Sequence, residues 1–285
     1  MVSMRRRVLG PAVVAGCLGV GMSAMALGPW RAIAHDPPRA VAIHAGGGVV
    51  PANLLRVYVE FSVPMEAGWS DGKIHLVDDA GQEVAGALLH PAEELWSPDG
   101  RFLTVLFDPG RIKRGLKSNV EMGVPLVTGR RYRLVIDPGW YDSHGRVSVT
   151  AYAQELRVVG ADRASPDPGQ WSVTPPVRDS HDELRVDFGK PLDYALALRA
   201  IAVVDSAGSF VRGKAALSNG DHVWSFVPSR GWIGRRYALR VDPELEDLAG
   251  NNLDRPFDSD RSHDGVVAER AAVDRQPRFL RVILR

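Results

Sequence analysis

The 285-residue chain contains a single cysteine, Cys17, which lies within an apolar N-terminal stretch. The rest of the chain therefore has no thiol for a disulfide, a thiolate metal site or a cysteine nucleophile. The eight histidines are scattered without His-Glu-x-x-His or His-x-His spacing. One Gly-x-Ser-x-Gly sequence occurs, at residues 68–72 (GWSDG), but a strand-like run at 74–77 follows it, whereas a nucleophile elbow leads into a helix. These observations argue against a zinc centre and against a hydrolase of the nucleophile-elbow type.

An excess of positive charge is also lacking once the N-terminus is set aside. Four of the 35 basic residues precede the first acidic residue, Asp36, which leaves 31 basic against 34 acidic residues. This balance does not favour nucleic-acid binding. Glycine and proline are abundant, with 29 and 20 residues in a globular composition that is 45% hydrophobic. Such a composition predicts many short elements joined by tight turns.

Residues 1–34 have the form of an export signal. Arg5-Arg6-Arg7 precedes a run of apolar and small residues from Val8 to Leu27, as in a secretory signal peptide. The arginines fit both an ordinary secretory signal and a loose twin-arginine pattern, and small-x-small cleavage sites lie at residues 24–26 and 32–34. We therefore expect an extracytoplasmic protein that is secreted, periplasmic or on the cell surface.

Cys17 leaves three possibilities open. Residues 14–17 read Val-Ala-Gly-Cys, which resembles a lipoprotein lipobox with a lipidated cysteine, although the residues that follow stay apolar through Leu27. Loss of Cys17 with a cleaved signal is the interpretation that we favour. The third possibility is an uncleaved anchor, since about 20 mostly apolar residues can span a bilayer. A membrane contact is expected only through this segment, if it is retained or lipidated.

The rest of the chain contains an internal repeat. Residues 60–66 (EFSVPME) match residues 187–193 (DFGKPLD) at an offset of 127, and residues 105–109 match 224–228 at an offset of 119. The offset falls to 105 where residues 129–134 (GRRYRL) match 234–239 (GRRYAL). Motif order and type persist throughout, so the chain is predicted to contain two copies of one domain.

Each copy reads as a series of short strands separated by Asp- and Gly-rich turns. Regular strand spacing and about 100 to 120 residues per copy are typical of a sandwich of two sheets. We predict an all-β protein of two tandem β-sandwiches after the N-terminal signal segment. The predicted boundaries are a signal at 1–34, sandwiches at 45–160 and 176–260, a Pro-rich linker at 161–175, and a C-terminal tail of unknown role at 261–285, which adds a strand or docks on a partner.

The repeated motifs resemble a known domain family. Both copies carry Phe-x-x-Pro followed by Met or Leu and an acid, then Asp-x-Ala-Gly, then Gly-Arg-Arg-Tyr, and the second adds Asp-Leu-Ala-Gly-Asn-Asn at 247–252. In this order they resemble the bacterial Ig-like domain of the S-layer (SbsA) type, over roughly residues 45–158 and 176–260. The resemblance implies immunoglobulin-like sandwiches that serve as spacers or binding modules on secreted, cell-wall or S-layer proteins, without catalytic residues.

Two insertions in the first copy are the predicted ligand-binding regions, because function tends to lie in extra loops on a scaffold. The first, between Gly86 and Val105, contains Glu94 and Trp96, which could hold a cation or stack on a sugar. The second, between Pro109 and Gly129, contains four cations suited to an anionic polymer, namely Arg111, Lys113, Arg114 and Lys117. The alternative interpretation is that both loops only cover sheet edges.

Other candidate groups are acidic turns and tryptophans. Asp247, Asn251 and Asp254 could supply oxygen ligands for calcium, but Asp, Asn and Gly are also what tight turns select. Apart from calcium, no cofactor is expected. Trp224 is predicted to be a core residue, whereas Trp96, Trp140 and Trp232 lie beside turns and are predicted to be surface candidates. Tyr132 and Tyr237 match across the repeat and are predicted to form structural tyrosine corners.

These observations favour an exported, non-enzymatic Ig-like protein that acts as a structural or protein-interaction module at the bacterial cell envelope. The expected partner is an envelope protein or polysaccharide. The alternative is a carbohydrate- or anionic-polymer-binding module that uses the insertions of the first copy. A glycosidase-type carboxylate pair, Glu60 with Glu94, is the third hypothesis.

Overall fold

The computed structural model describes residues 36–234, 236–258 and 276–285, and residues 37–285 form one compact unit. The predicted export signal and Cys17 lie outside the described residues, as does the part of the predicted tail at 261–275. No helix in the described part of the chain is long and apolar enough to cross a membrane.

Residues 40–159 form the first sandwich. The elements are β1 Ala40–His44, β2 Val49–Pro51, β3 Arg56–Phe61, β4 Ile74–Asp78, β5 Leu88–Leu89, β6 Leu95–Trp96, β7 Phe102–Phe107, α1 Pro109–Ile112, α2 Lys117–Met122, β8 Arg131–Ile136 and β9 Tyr152–Val159. One sheet has the order β1-β3-β7-β5, with β6 also paired to β7, and the other has the order β2-β9-β8-β4. A turn at Gly46–Gly48, with all three glycines at positive φ, carries the chain from one sheet to the other.

The described residues from 172 onwards form the second sandwich. The elements are β10 Ser172–Thr174, β11 Leu184–Asp187, α3 Tyr194–Ala200, β12 Ile201–Asp205, β13 Gly213–Ser218, β14 Val223–Pro228, β15 Arg236–Val241 and β16 Arg278–Ile283. The sheets have the orders β10-β11-β14-β13 and β12-β15-β16. The protein is therefore all-β, with two tandem immunoglobulin-like sandwiches, as the repeat predicts.

The strand pairing follows the repeat closely. Asp78 pairs with Tyr132 in the first sandwich and Asp205 with Tyr237 in the second, which are the positions that the sequence matches. One segment differs by two residues, since Val105 of β7 and Phe226 of β14 occupy corresponding positions opposite β3 and β11. A shift of two residues keeps the same side chains facing the core, so alternation in the sequence does not reveal it, and the strand pairing corrects the match.

Three segments outside the predicted sandwich boundaries contribute strands. Residues 40–44, before the predicted start of the first sandwich, form β1, which pairs with β3. The stretch predicted as a linker, 161–175, includes β10, which pairs with β11. The predicted tail includes β16, which pairs with β15 along its whole length, as β9 pairs with β8. β10 and β16 each cover the edge of a neighbouring strand and form the outer strand of their sheets.

Each sandwich has its own hydrophobic core. Trp224 is fully buried in the second core, as predicted. The surface prediction for Trp140 and Trp232 is wrong, because each is only 1% exposed. The Trp140 indole N–H donates to the Asp137 carbonyl, and the Trp232 indole N–H donates to the Asp182 carbonyl. In each sandwich, a tryptophan beside a turn therefore packs at the end of the core.

The turns are held by local hydrogen bonds that repeat between the copies. Asp78 Oδ1 accepts from the N–H groups of residues 80 and 82, and Asp205 Oδ1 accepts from those of residues 207 and 209. Tyr132 and Tyr237 form the predicted corners, with their hydroxyl groups bonded to the backbone of Val127 and Ile233. Asp and Tyr at these positions are thus explained by the fold.

Candidate functional site

Glu94 and Trp96 of the first insertion both point towards the sandwich. Trp96 is half-buried, with its ring 5.5 Å from that of Phe61. The Glu94 carboxylate accepts three hydrogen bonds, from Trp96 Nε1 at 2.6 Å and from the N–H groups of Gly68 at 2.8 Å and Ser70 at 2.6 Å. Glu94 therefore ties the loop at 67–70 to β6. A ligand-binding role for these two residues stays a prediction.

A small cavity of about 160 Å³ lies beside Glu94. Its polar lining includes Ser70, Asp71, His90 and Thr104. The exposed aromatic ring of this region is Trp69, which packs on Tyr141 with a ring separation of 4.5 Å and has the Lys73 ammonium 5.2 Å from its centroid. With Tyr141 and Lys73 both packed against it, the Trp69 ring is already engaged within the protein.

The hydrogen bonds that Glu94 accepts in this loop affect its pKa. Burial of the carboxyl raises the pKa, but the hydrogen bonds from Ser70, Trp96 and Gly68 together outweigh burial, so the pKa is lowered. A carboxyl with a lowered pKa is ionised at neutral pH, which does not suit the general acid of a glycosidase pair.

We expect Glu94→Gln to lower the free energy of unfolding at neutral pH, because the neutral amide is a weaker acceptor for three donors. A lowered pKa in the folded state stabilises the protein above the ordinary glutamate pKa, and this stabilisation is lost as the pH falls through the folded-state value. The difference between wild type and variant should therefore shrink in acid. Urea denaturation at several pH values measures it, with exposed Glu93→Gln as the control; a difference independent of pH would contradict this account.

Arg111 of the second insertion is buried and holds this insertion together. Its guanidinium donates to the backbone carbonyls of Ala85, Met122, Gly123 and Val124, and the residue is only 5% exposed. Arg111 is therefore not accessible to an anionic polymer, contrary to the expectation from sequence. The reason is that the carbonyl oxygens of residues 122–124, at the end of α2, and of Ala85 converge on the guanidinium.

Two of the other three cations in this insertion contact the segment just after residue 256. Arg114 Nε donates to Asp258 Oδ2 at 2.7 Å, and the Lys113 ammonium lies 4.4 Å from the centroid of the Phe257 ring. Lys117 is highly exposed, with only a long contact to Glu121 in the same helix. The basic insertion thus serves mainly to join the first sandwich to the end of the 247–258 segment.

The calcium candidates form a turn bonded to a lysine. Asp247 is buried, accepts from the N–H groups of Ala249 and Asn251, and lies 2.6 Å from Lys190 Nζ. Asp254 is exposed and pairs instead with Arg278. In the described ranges, no group of three or more His, Cys, Asp or Glu side chains is placed to hold a metal ion. Lys190 occupies the position that a cation would need at Asp247.

Lys190 belongs to a junction between the two sandwiches that the sequence did not predict. Its ammonium donates to Asp162, Asp247 and the carbonyl of Ala164. Asp162 in turn exchanges two hydrogen bonds with Asn53 of the first sandwich, at 2.7 and 2.8 Å. The segment that leaves the first sandwich is therefore fixed to both sandwiches by charged and amide groups.

A second polar cluster lies at Arg56, the first residue of β3. Its Nε donates to Asp193 Oδ2 at 2.6 Å, and its Nη2 contacts Glu246. The Tyr58 hydroxyl donates to Asp193 Oδ1 at 2.7 Å, while the same oxygen accepts from Leu196 N–H and so caps α3. Burial, together with the Asp193 carboxylate, raises the pKa of Tyr58, which keeps the phenol protonated as a donor.

Backbone and apolar contacts complete the junction. Leu55 N–H donates to the Leu248 carbonyl at 2.9 Å, and the Leu248 side chain belongs to the core of the first sandwich. Gly46 N–H donates to the buried Asp221 carboxylate at 3.0 Å. Next to it, Gly47 and Gly220 meet backbone to backbone, so that a Cβ on Gly220 would lie 2.9 Å from Gly47 Cα.

One sequence signal could have located this junction. Where the copies match, Lys190 replaces Val63 and Asn251 replaces Arg146. In the first copy Arg146 pairs with Asp142 of its own turn, whereas in the second Asp247 is left to pair with Lys190. Charged residues that differ between otherwise similar copies mark the surface where the copies meet.

A comparison of the sequence with protein-family models found no match, and neither did a comparison with curated proteins. Among solved structures, the S-layer protein SbsC is 15% identical over 72% of this chain and 23% of its own, with a TM-score of 0.30. The chain thus spans about a quarter of that S-layer chain. Alpha-2-macroglobulin from Escherichia coli, domains MG0-NIE-MG1, is 9% identical over 73% of this chain and 66% of its own, with a TM-score of 0.28.

The Ig1-2 module of Drosophila receptor protein tyrosine phosphatase DLAR is 13% identical over 74% of this chain and 93% of its own, with a TM-score of 0.22. The immunoglobulin-like fold therefore rests on the strand order and the two cores described above. Membership of the S-layer (SbsA-type) family stays a prediction.

Proposed function

We propose that this protein is an exported, non-enzymatic structural module of the bacterial cell envelope, in which two immunoglobulin-like sandwiches are held at one relative orientation. In this role it sets a distance and presents loops to an envelope protein. The junction between the sandwiches carries this proposal. The S-layer likeness of the repeat motifs agrees with such a role.

The junction differs from a flexible connection between domains. Arg56 pairs with Asp193 across the boundary, Lys190 and Asp247 form a second ion pair beside it, and both aspartates are almost fully buried. It also includes a backbone hydrogen bond and a side chain of one sandwich that enters the core of the other. Because relative motion would break several of these contacts at once, a single orientation is favoured.

The titratable groups with shifted pKa values also fit a structural role. Burial raises the pKa of Asp221 and of Asp247, against the opposing effects of Gly46 N–H and Lys190. Both carboxyls are at the junction, where Asp221 accepts from Gly46 of the other sandwich and Asp247 accepts from Lys190 of its own. Shifted pKa values arise in structural ion-pair networks as well as in active sites, and here burial at the junction accounts for both.

The alternative function, binding of a carbohydrate or anionic polymer by the insertions of the first copy, loses part of its contact surface. Arg111 is buried, Arg114 is paired with Asp258, and the Lys113 ammonium lies over Phe257. What remains accessible is Lys117 and the half-buried pair of Glu94 and Trp96. No observation favours this function over the structural one.

Small-angle X-ray scattering of residues 37–285 tests the single orientation. We expect one arrangement to fit the profile and the profile to stay the same at low and high salt, because the junction charges are buried and poorly screened. A profile that needs an ensemble of orientations would contradict the proposal. Cell fractionation of the full chain tests its location: accumulation in the cytoplasm would overturn the role at the envelope.

A further inference from the structure

The outer face of the sheet β12-β15-β16 combines arginines with exposed apolar side chains. Paired residues share a face, and the pairing gives three rows across the sheet. Phe210 extends the first row through an isolated bridge to Val204. We call this surface the arginine–phenylalanine face. Its rows are Phe210, Val204, Ala238 and Arg281; then Ala202, Arg240 and Phe279; then Arg236 and Ile283.

The apolar groups of this face are well exposed. Phe210, Phe279 and Ile283 are 65%, 61% and 57% accessible to solvent. Phe279 and Ile283 alternate with more buried residues of β16 such as Val282, so they cannot turn into the core without breaking the register. An exposed cluster of this kind marks an interaction surface.

The charges of this face are all positive. Among the residues that the structure describes, no carboxylate lies within ion-pair distance of Arg236 or Arg281. Arg240 has a long contact of 3.7 Å with Asp242, which follows β15, and lies 5.9 Å from the centroid of the Phe210 ring. Within the described part of the chain, the face therefore offers two guanidinium groups without a carboxylate partner, between apolar side chains.

The first sandwich supplies an internal comparison. The matching rows there are Glu83, Val77, Arg133 and Glu155; then His75, Val135 and Ala153; then Arg131 and Arg157. That face contains two carboxylates and ion pairs such as Arg131 with Glu155. At the matching positions of the second sandwich, Phe210 replaces Glu83 and Arg281 replaces Glu155, while Phe279 and Ile283 replace Ala153 and Arg157. The positive, apolar character is thus specific to one copy.

We infer that the arginine–phenylalanine face docks on an anionic lipid surface. Such a surface presents phosphate groups to the arginines and hydrocarbon to Phe210, Phe279 and Ile283 at almost the same depth. A polyanionic polysaccharide supplies the charges but no hydrocarbon. This contact is separate from the N-terminal segment, which the sequence predicted to be the only route to a membrane.

Co-sedimentation of residues 37–285 with lipid vesicles tests this inference without interference from the apolar N-terminus. We expect binding to vesicles of phosphatidylglycerol and phosphatidylethanolamine, weaker binding at high salt, and none to phosphatidylcholine. The double variant Phe279→Ala/Arg281→Glu should lower the apparent affinity by about tenfold or more. Both substitutions copy the residues of the first sandwich, so the fold accommodates them.

Arg133→Glu, on the matching face of the first sandwich, is the control and should change the affinity by no more than about twofold. Two results would overturn the inference: no binding to the anionic vesicles at low salt, or equal binding by the double variant and the wild type. Retention on the soluble polyanion heparin that Phe279→Ala leaves unchanged, without vesicle binding, would assign the arginines to a polymer instead of a lipid surface.

Discussion

Replacing Arg56 by methionine is expected to lower the free energy of unfolding by about 3 kcal/mol, because it leaves a buried carboxylate without its cation. The Asp193 side chain is only 1% exposed, and Arg56 is the charged partner placed 2.6 Å from it. Methionine keeps most of the apolar stem of arginine, so lost packing contributes little. Urea denaturation of residues 37–285 measures the change.

The matched control is Arg131→Met, in which the lost partner is an exposed glutamate at 3.9 Å. Exposed pairs of this kind contribute about 0.5 kcal/mol or less. Adding Asp193→Asn to Arg56→Met should recover part of the loss, since it removes the uncompensated charge. Equal effects of Arg56→Met and Arg131→Met would show that the Arg56 cluster does not hold the sandwiches together.

Gly220→Ala is expected to push the two sandwiches apart at their closest backbone contact. The residue has a φ of +60°, and its new Cβ would lie 2.9 to 3.0 Å from backbone atoms of Gly46 and Gly47. Backbone atoms cannot move aside as a flexible side chain can. We expect a loss of about 3 kcal/mol, from the left-handed conformation and the steric overlap together, and a changed scattering profile.

Gly72→Ala separates these two contributions. Gly72 has a similar φ of +64°, but no atom lies within 4 Å of the point that a Cβ would occupy there, so only the conformational cost of about 1 kcal/mol applies. This control should leave the scattering profile unchanged. If Gly220→Ala behaves as Gly72→Ala does in both measurements, then the close approach of Gly47 and Gly220 is not a constraint on the junction.

Features set by nearby residues could be predicted from the sequence. The turn at Asp78 needs only the N–H groups two and four residues later, and its counterpart at Asp205 repeats the pattern. The central strands of each copy, such as Ile74–Asp78 and Ile201–Asp205, likewise followed from alternation and from the repeat. In each case the interaction partner lies within a few residues or is given by the other copy.

The pairs of residues that meet at the junction could not be predicted because the partners are far apart in the chain. Arg56 and Asp193 are 137 residues apart, and Arg56 and Glu246 are 190 apart. A single sequence shows two charged residues there but not that they meet. Arg111 was misjudged for a similar reason, since its acceptors are neutral backbone carbonyls, one of which lies 26 residues before it.

The junction joins different surfaces of two similar domains, so the order of the two copies along the chain matters. At the matching positions of the second sandwich, Arg56 and Tyr58 are replaced by Glu183 and Arg185, while Asp193 has Glu66 as its counterpart in the first. If the two copies exchanged places in the chain, the residues that meet at the junction would no longer be complementary. A guanidinium there would have no buried acceptor. The residues of each copy suit its own position in the chain. Neither copy can therefore be duplicated or moved along the chain unless the residues of the junction change as well.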